Sequence, residues 1–228
     1  MTRLCIVRHG ETSWNASGRI QGQLNPPLST LGEAQALALA DVLRNTRFDA
    51  IYSSDLTRAI DTAKPIARQL AQAFVTLRAL RERHYGRWQG LLYEEIINVH
   101  PDAWRRHAER DPHHHPPGGE SLTAFAERVR GCLAWLLTRH PGYTLLLVAH
   151  GGVLDIANRM VRDRPLEAAR DFETGNAALN WIEHDAGRWR LLAWNDRRHL
   201  AGLRAIDHGD VALTPRSSTY PCPGRVSA

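Results

Sequence analysis

The chain has 228 residues, 43% of them hydrophobic, which is enough to bury a full core and suits one domain better than several. A formal net charge of +5 and a pI of about 9.5 favour an anionic partner. The basic residues are interspersed with acidic ones and form no stripe, zinc-finger spacing or basic-region heptad, so nucleic acid is the weaker reading, and charge alone does not choose between an acidic membrane surface and a small phosphorylated metabolite.

The cysteines, Cys5, Cys132 and Cys222, are an odd set at wide spacing with no CxxC. They suggest neither a disulfide framework nor a zinc site, and a reducing cytoplasm fits them. The apolar run from Leu4 to Val7 is ended by Arg8, His9 and Glu11 before an export signal or membrane span could form.

In chain order, residues 4–7 read as a buried parallel strand with Arg8-His9-Gly10 directly at its C-terminal end. After a loop with Pro26 and Pro27, Thr30 and Glu33 form a capping box, and Ala34, Leu37, Ala38 and Val42 continue at helical spacing. Residues 48–52 predict a second strand. Ser53, Ser54 and Asp55 then offer caps for a helix over 56–73, which Pro65 should kink or divide. Residues 75–77 predict a weak third strand and 93–99 a helix.

The stretch 111–119, with His113, His114 and His115 among Pro112, Pro116 and Pro117, predicts a loop. Its histidines lack carboxylate or cysteine partners at ligand spacing, so no metal site is expected. Ser121 caps a helix whose apolar face is Leu122, Phe125, Val129, Cys132, Leu133 and Leu136. Residues 143–149 predict a strand ending at His150-Gly151-Gly152, followed by a helix to about 160. Residues 177–182 and 188–194 predict closing strands.

The alternation implies a single-domain α/β fold over residues 1–204, a mostly parallel sheet with helices on both faces, followed by a tail over 205–228. Ligands of such sheets sit beyond the carboxyl ends of the strands, where His9 and His150 both fall. Assembly into a homo-oligomer is compatible with the sequence.

Singly, Arg8-His9-Gly10 carries little weight. With Glu11-Thr12, Trp14-Asn15, Pro27-Leu28-Ser29 and Gly32 following, it resembles the opening of the histidine phosphatase superfamily, which includes the cofactor-dependent phosphoglycerate mutases. Further matches follow in order: Ser53-Ser54-Asp55-Leu56 with Arg58-Ala59 and Thr62-Ala63; Glu82 with Gly86, Trp88, Gln89 and Gly90; Gly118-Gly119-Glu120-Ser121; and Val148-Ala149-His150-Gly151-Gly152. The resemblance spans residues 3–182. It implies a phosphoglycerate mutase-like fold, His9 as phosphate-accepting nucleophile, Glu82 as acid and base, and Arg8, Arg58 and His150 as hydrogen-bond donors to the phosphate oxygens. Asn15, Gly22, Gly151, His84 and Tyr85 are implied in substrate binding, and no cofactor or metal is implied.

The chemistry of these side chains fits those roles. Guanidinium groups bind phosphate oxygens through forked hydrogen bonds and stay charged. A histidine beside two arginines is disfavoured as imidazolium, which keeps a lone pair available for attack. Glu82, between Arg81 and Arg83, also reads as an ordinary solvated charge, and Asn15 and Gly22 as ordinary turn residues.

Three functions follow: a phosphatase passing the phosphoryl group to water, a phosphoglycerate mutase returning it to substrate, and a non-catalytic phosphate-recognition module. The intact set His9, Arg8, Arg58, Glu82 and His150 argues against the third. Residues 82–86 and Trp104-Arg105-Arg106 resemble the mutases, but Tyr93 stands where they carry a lysine, and the segment between Gly90 and Gly118 is shorter than their covering insertion. Because a mutase must exclude water, the phosphatase is the expectation, with Trp14, His84, Tyr85 and Trp104 at the pocket mouth.

Overall fold

The computed structural model describes residues 1–203; the expected tail over 205–228, with Cys222, lies outside them. Six strands form one mixed sheet: β1 (Thr2–Arg8), β2 (Ala50–Ser53), β3 (Phe74–Thr76), β4 (Thr144–Ala149), β5 (Leu179–Asp185) and β6 (Arg188–Asp196), in the order β3-β2-β4-β1-β5-β6. The four strands β1 to β4 run parallel, and β5 and β6 close the sheet as an antiparallel hairpin. The parallel part is the expected doubly covered sheet; the hairpin makes the whole mixed. Its turn, Ala186-Gly187, has positive φ at both residues (45° and 79°), the geometry that matches the twist of paired strands.

Alternation along the strands divides the core between the two faces. Leu4, Ile6, Leu145 and Leu147 pack on one side with α6 (Leu122–Arg139) and α7 (Gly151–Val161). Cys5, Val7, Leu146 and Val148 pack on the other with α2 (Thr30–Leu43), which follows the one-turn α1 (Ser13–Ala16), and with α3 (Thr57–Gln69). β1 and β4 are buried on both faces, as continuous apolar runs require, and each fully buried leucine there contributes about 1.5–3 kcal/mol.

Three local expectations shift. The cap of α2 is Ser29, whose Oγ accepts from Gly32 N, in place of the Thr30–Glu33 box. That helix buries Ala36, Leu39, Ala40 and Leu43, while Leu37 and Val42 face solvent; an all-apolar Ala/Leu stretch does not mark its inner face by periodicity. α3 runs through Pro65 undivided and ends at Gln69, before Ala71 with φ 51°. Its first N–H is met by Asn25 Oδ1 from another loop, which frees Ser54 and Asp55 for other partners.

Between β3 and α6 the chain forms two short helices, α4 (Tyr93–Val99) and the unexpected α5 (Pro101–Ala108), started by proline at its first position. With Trp88 and Ile20 they make a small separate cluster. The histidine-proline stretch is a loop, as expected, and Arg83 ties it down: its Nη2 donates to His114 O and its Nε to Glu120 O, both at 3.0 Å.

Candidate active site

β1 and β4 are parallel neighbours with Arg8 opposite Ala149, and His9 N donates to Ala149 O at 3.0 Å. The residues that follow the two strands are therefore brought side by side. The His9 and His150 rings lie 5.2 Å apart between centroids, and both side chains are buried. Ser54 leaves β2 beside them and its Oγ is 2.8 Å from His150 Nε2. His150 Nδ1 is buried and has no hydrogen-bond partner among the described residues.

His9 Nδ1 lies 2.7 Å from Gly10 O. A carbonyl only accepts, so Nδ1 carries the proton and Nε2 the lone pair. Arg58 Nε donates to that Nε2 at 3.2 Å. Burial and the charges of Arg58 and Arg8 hold the His9 imidazole well below its ordinary pKa, against the smaller opposing effect of Gly10 O. Burial does the same for His150, helped by Arg58, His9 and Arg8. Both rings are thus neutral at physiological pH.

Arg58, on the first turn of α3, is fixed as closely. Its Nη1 and Nη2 donate to Leu24 O (2.7 Å) and Gly22 O (2.8 Å), and Thr62 Oγ1 joins the helix to Gly10 N at 2.9 Å. Burial, more than the neighbouring Arg8 charge, lowers its pKa to about 10, so it remains a cation. Gly22 turns with φ 51°, a left-handed conformation that favours glycine, and its carbonyl holds Arg58 from there.

Arg8 donates to Thr174 O at 2.6 Å. Glu82 holds Arg83 N on one carboxylate oxygen (2.8 Å) and Gly152 N, in the first turn of α7, on the other (3.0 Å). A Cβ on Gly152 would sit 2.1 Å from Glu82 Oε1, so the second glycine is required for this approach. These groups open on a cavity of about 140 Å³ lined by Arg8, His9, Arg58 and Glu82 with Asn15, Gly22, Tyr85 and Gly151. A neutral imidazole lone pair, guanidinium donors, the α7 N-terminus and a carboxylate facing one small space can bind a phosphate ester and move its phosphoryl group.

His84, expected in substrate binding, is not among the lining residues: its Nδ1 accepts from Gly86 N at 3.2 Å and its N–H is held by Glu120. Trp14, Trp104 and His150 are also outside the lining; Trp104 packs on Trp88, Tyr93 and His107, and His150 is fully buried beside His9. Conversely, Gln21, Tyr93, His107, Arg170 and Thr174 line the cavity and were not singled out from the sequence. Tyr93 was noted only as the residue replacing a lysine, and the others stand in no motif.

The fold and this set of side chains define an enzyme of phosphoryl transfer. A family profile described as the histidine phosphatase superfamily, branch 1, matches residues 4–197, and the chain belongs to that superfamily. Among its relatives, a metal-independent phosphoserine phosphatase of Arabidopsis thaliana is 36% identical over 92% of this chain and 87% of its own length. Phosphoserine phosphatase 1 of Hydrogenobacter thermophilus is 39% identical over 91% and 99%. The structure of a mycobacterial glucosyl-3-phosphoglycerate phosphatase in complex with VO3 superposes with a TM-score of 0.76 at 37% identity, covering 85% of this chain and 98% of the other.

Proposed function

We propose that the protein is a phosphatase that hydrolyses small phosphate monoesters through a phosphohistidine formed on His9. The observation that carries this reading is the His9 Nε2 lone pair, facing a small cavity beside Arg58 with its tautomer fixed by Gly10 O. Nε2 attacks phosphorus, the ester P–O bond breaks, and the leaving alkoxide takes a proton from Glu82. Glu82 then takes a proton from water, whose oxygen attacks phosphorus as the P–N bond breaks, regenerating His9. Arg8, Arg58 and His150 stabilise charge on the equatorial oxygens, and Asn15, Gly22 and Gly151 border the phosphate. No metal enters this sequence of steps.

Phosphatases similar along nearly the whole chain support hydrolysis over isomerisation. Incubation with 3-phosphoglycerate, with and without 2,3-bisphosphoglycerate, separates the two. Phosphate release without the bisphosphate, and little 2-phosphoglycerate, is expected; isomer formed faster than phosphate and only after priming would establish a mutase.

Among the described residues no helix is long and apolar enough to cross a membrane. A cytoplasmic location is part of the proposal, supported by Cys5 and Cys132, which are free and buried, with burial pushing both thiols up.

A further inference from the structure

The geometry points to Arg170 as the residue that selects esters bearing a second anionic group, a carboxylate beside the phosphate. This rests on the phosphatase reading and concerns the mouth of the same cavity. Of the residues lining it, Arg8, Arg58 and Arg170 carry guanidinium groups and Glu82 alone a carboxylate. Arg8 and Arg58 flank His9, where a phosphate belongs. Arg170 comes from the loop after α7 and is held elsewhere: its Nε donates to Asp155 at 3.0 Å and its guanidinium lies 5.9 Å from the Phe172 ring centroid.

Asp155, on the second turn of α7, is 2% exposed. It binds three arginines at once: Arg110 at 2.6 Å, Arg159 at 3.2 Å and Arg170 at 3.0 Å. Burial pushes its carboxyl up, but Arg170, Arg110 and Arg159 outweigh this and hold it below its ordinary pKa. This buried anchor fixes the Arg170 guanidinium where it lines the cavity, a cation placed to meet an anion there.

The same carboxylate also anchors the chain just after α5. Arg110, which ties to Asp155 and Leu166 O, follows α5 directly, and α5 carries His107 into the lining. Burial, with Arg83 and His114 nearby, lowers the His107 pKa to about 3. His107 is therefore neutral and offers a hydrogen bond without adding charge. Its buried Nδ1 has no hydrogen-bond partner among the described residues. A fixed cation and a neutral imidazole in the lining of one small cavity suit the planar, two-oxygen shape of a carboxylate.

The test compares O-phosphoserine with O-phosphoethanolamine, which lacks only the carboxylate, on the full chain and on Arg170→Met and Arg170→Lys. The wild type is expected to favour phosphoserine. Arg170→Met should lower kcat/KM for phosphoserine about 10- to 100-fold through KM, the loss expected for one charge-assisted bond, with phosphoethanolamine changed by less than about threefold. Arg170→Lys should restore part of the preference. Equal losses on both esters, no preference in the wild type, or turnover of p-nitrophenyl phosphate with neither ester accepted overturns the assignment. If no ester at all is hydrolysed, the phosphatase reading fails and calorimetric binding decides this one: phosphoserine affinity lowered by Arg170→Met upholds it, and unchanged affinity overturns it.

Discussion

The cavity has a floor of strand ends, where His9 lines it and His150 is buried beside His9, each one residue beyond a central parallel strand, whereas the lining residues His107 and Arg170, its mouth, come from a short helix and a loop. The floor is set by backbone. The register of β1 on β4 fixes both histidines, and Arg58 is held by two carbonyls from one loop. The mouth is set by charge, through a single buried aspartate that gathers arginines from three places in the chain. The difference teaches that the chemistry sits on the part of the fold that changes least when loops change, and that selectivity sits on the part that can be rebuilt by a few substitutions.

The comparison is broken most severely at the floor. Arg58→Met removes the donor that faces His9 Nε2 and should lower kcat about 100- to 1,000-fold on every ester alike, as expected for loss of one donor from a transition-state pocket. Thermal unfolding measured alongside separates this from the effect of leaving the Gly22 and Leu24 carbonyls without their partner. A loss confined to carboxylated esters would place Arg58 with the mouth and undo the division.

Glu82→Gln sharpens it, because Glu82 borders both regions. Esters of alkyl alcohols should slow by about 100- to 10,000-fold, and aryl phosphates, whose leaving groups need little protonation, much less. The Arg83 and Gly152 N–H groups retain an acceptor in the glutamine carbonyl oxygen, so a loss equal on both classes of ester would mean that the carboxylate positions the site and transfers no proton.

The two regions were also unequally legible in the sequence. Floor residues follow apolar runs that announce strands, so the position of His9 and His150 at strand ends was readable, while their expected roles, like those of Arg58 and Glu82, came only from the ordered motifs. The closing hairpin and the apolar face of α6 were equally plain, because alternation and helical spacing were both clean there. The inner face of α2 was misread because nearly every residue in it is apolar. Ser54 and Asp55 looked like helix caps because nothing local reveals that they face His150 and Arg81. At the mouth, Arg170 lies in a loop with five other charged residues between 162 and 171, and what distinguishes it is Asp155, fifteen residues earlier and inside a helix. Its role exists only once α7 folds against the loop. His84 failed in the opposite direction, since its motif neighbourhood suggested the pocket while its side chain closes a local turn.

The measurement closest to the central claim is the chemical identity of the intermediate. Enzyme quenched in alkali during turnover of a 32P-labelled monoester should retain label that mild acid removes, as expected of a phosphorus–nitrogen bond, and peptide mapping should place it on His9. The His9→Ala protein should hold none and should fall below about one ten-thousandth of wild-type turnover, the usual consequence of removing a nucleophile. Label on another residue, or appreciable hydrolysis by the His9→Ala protein, would contradict the account.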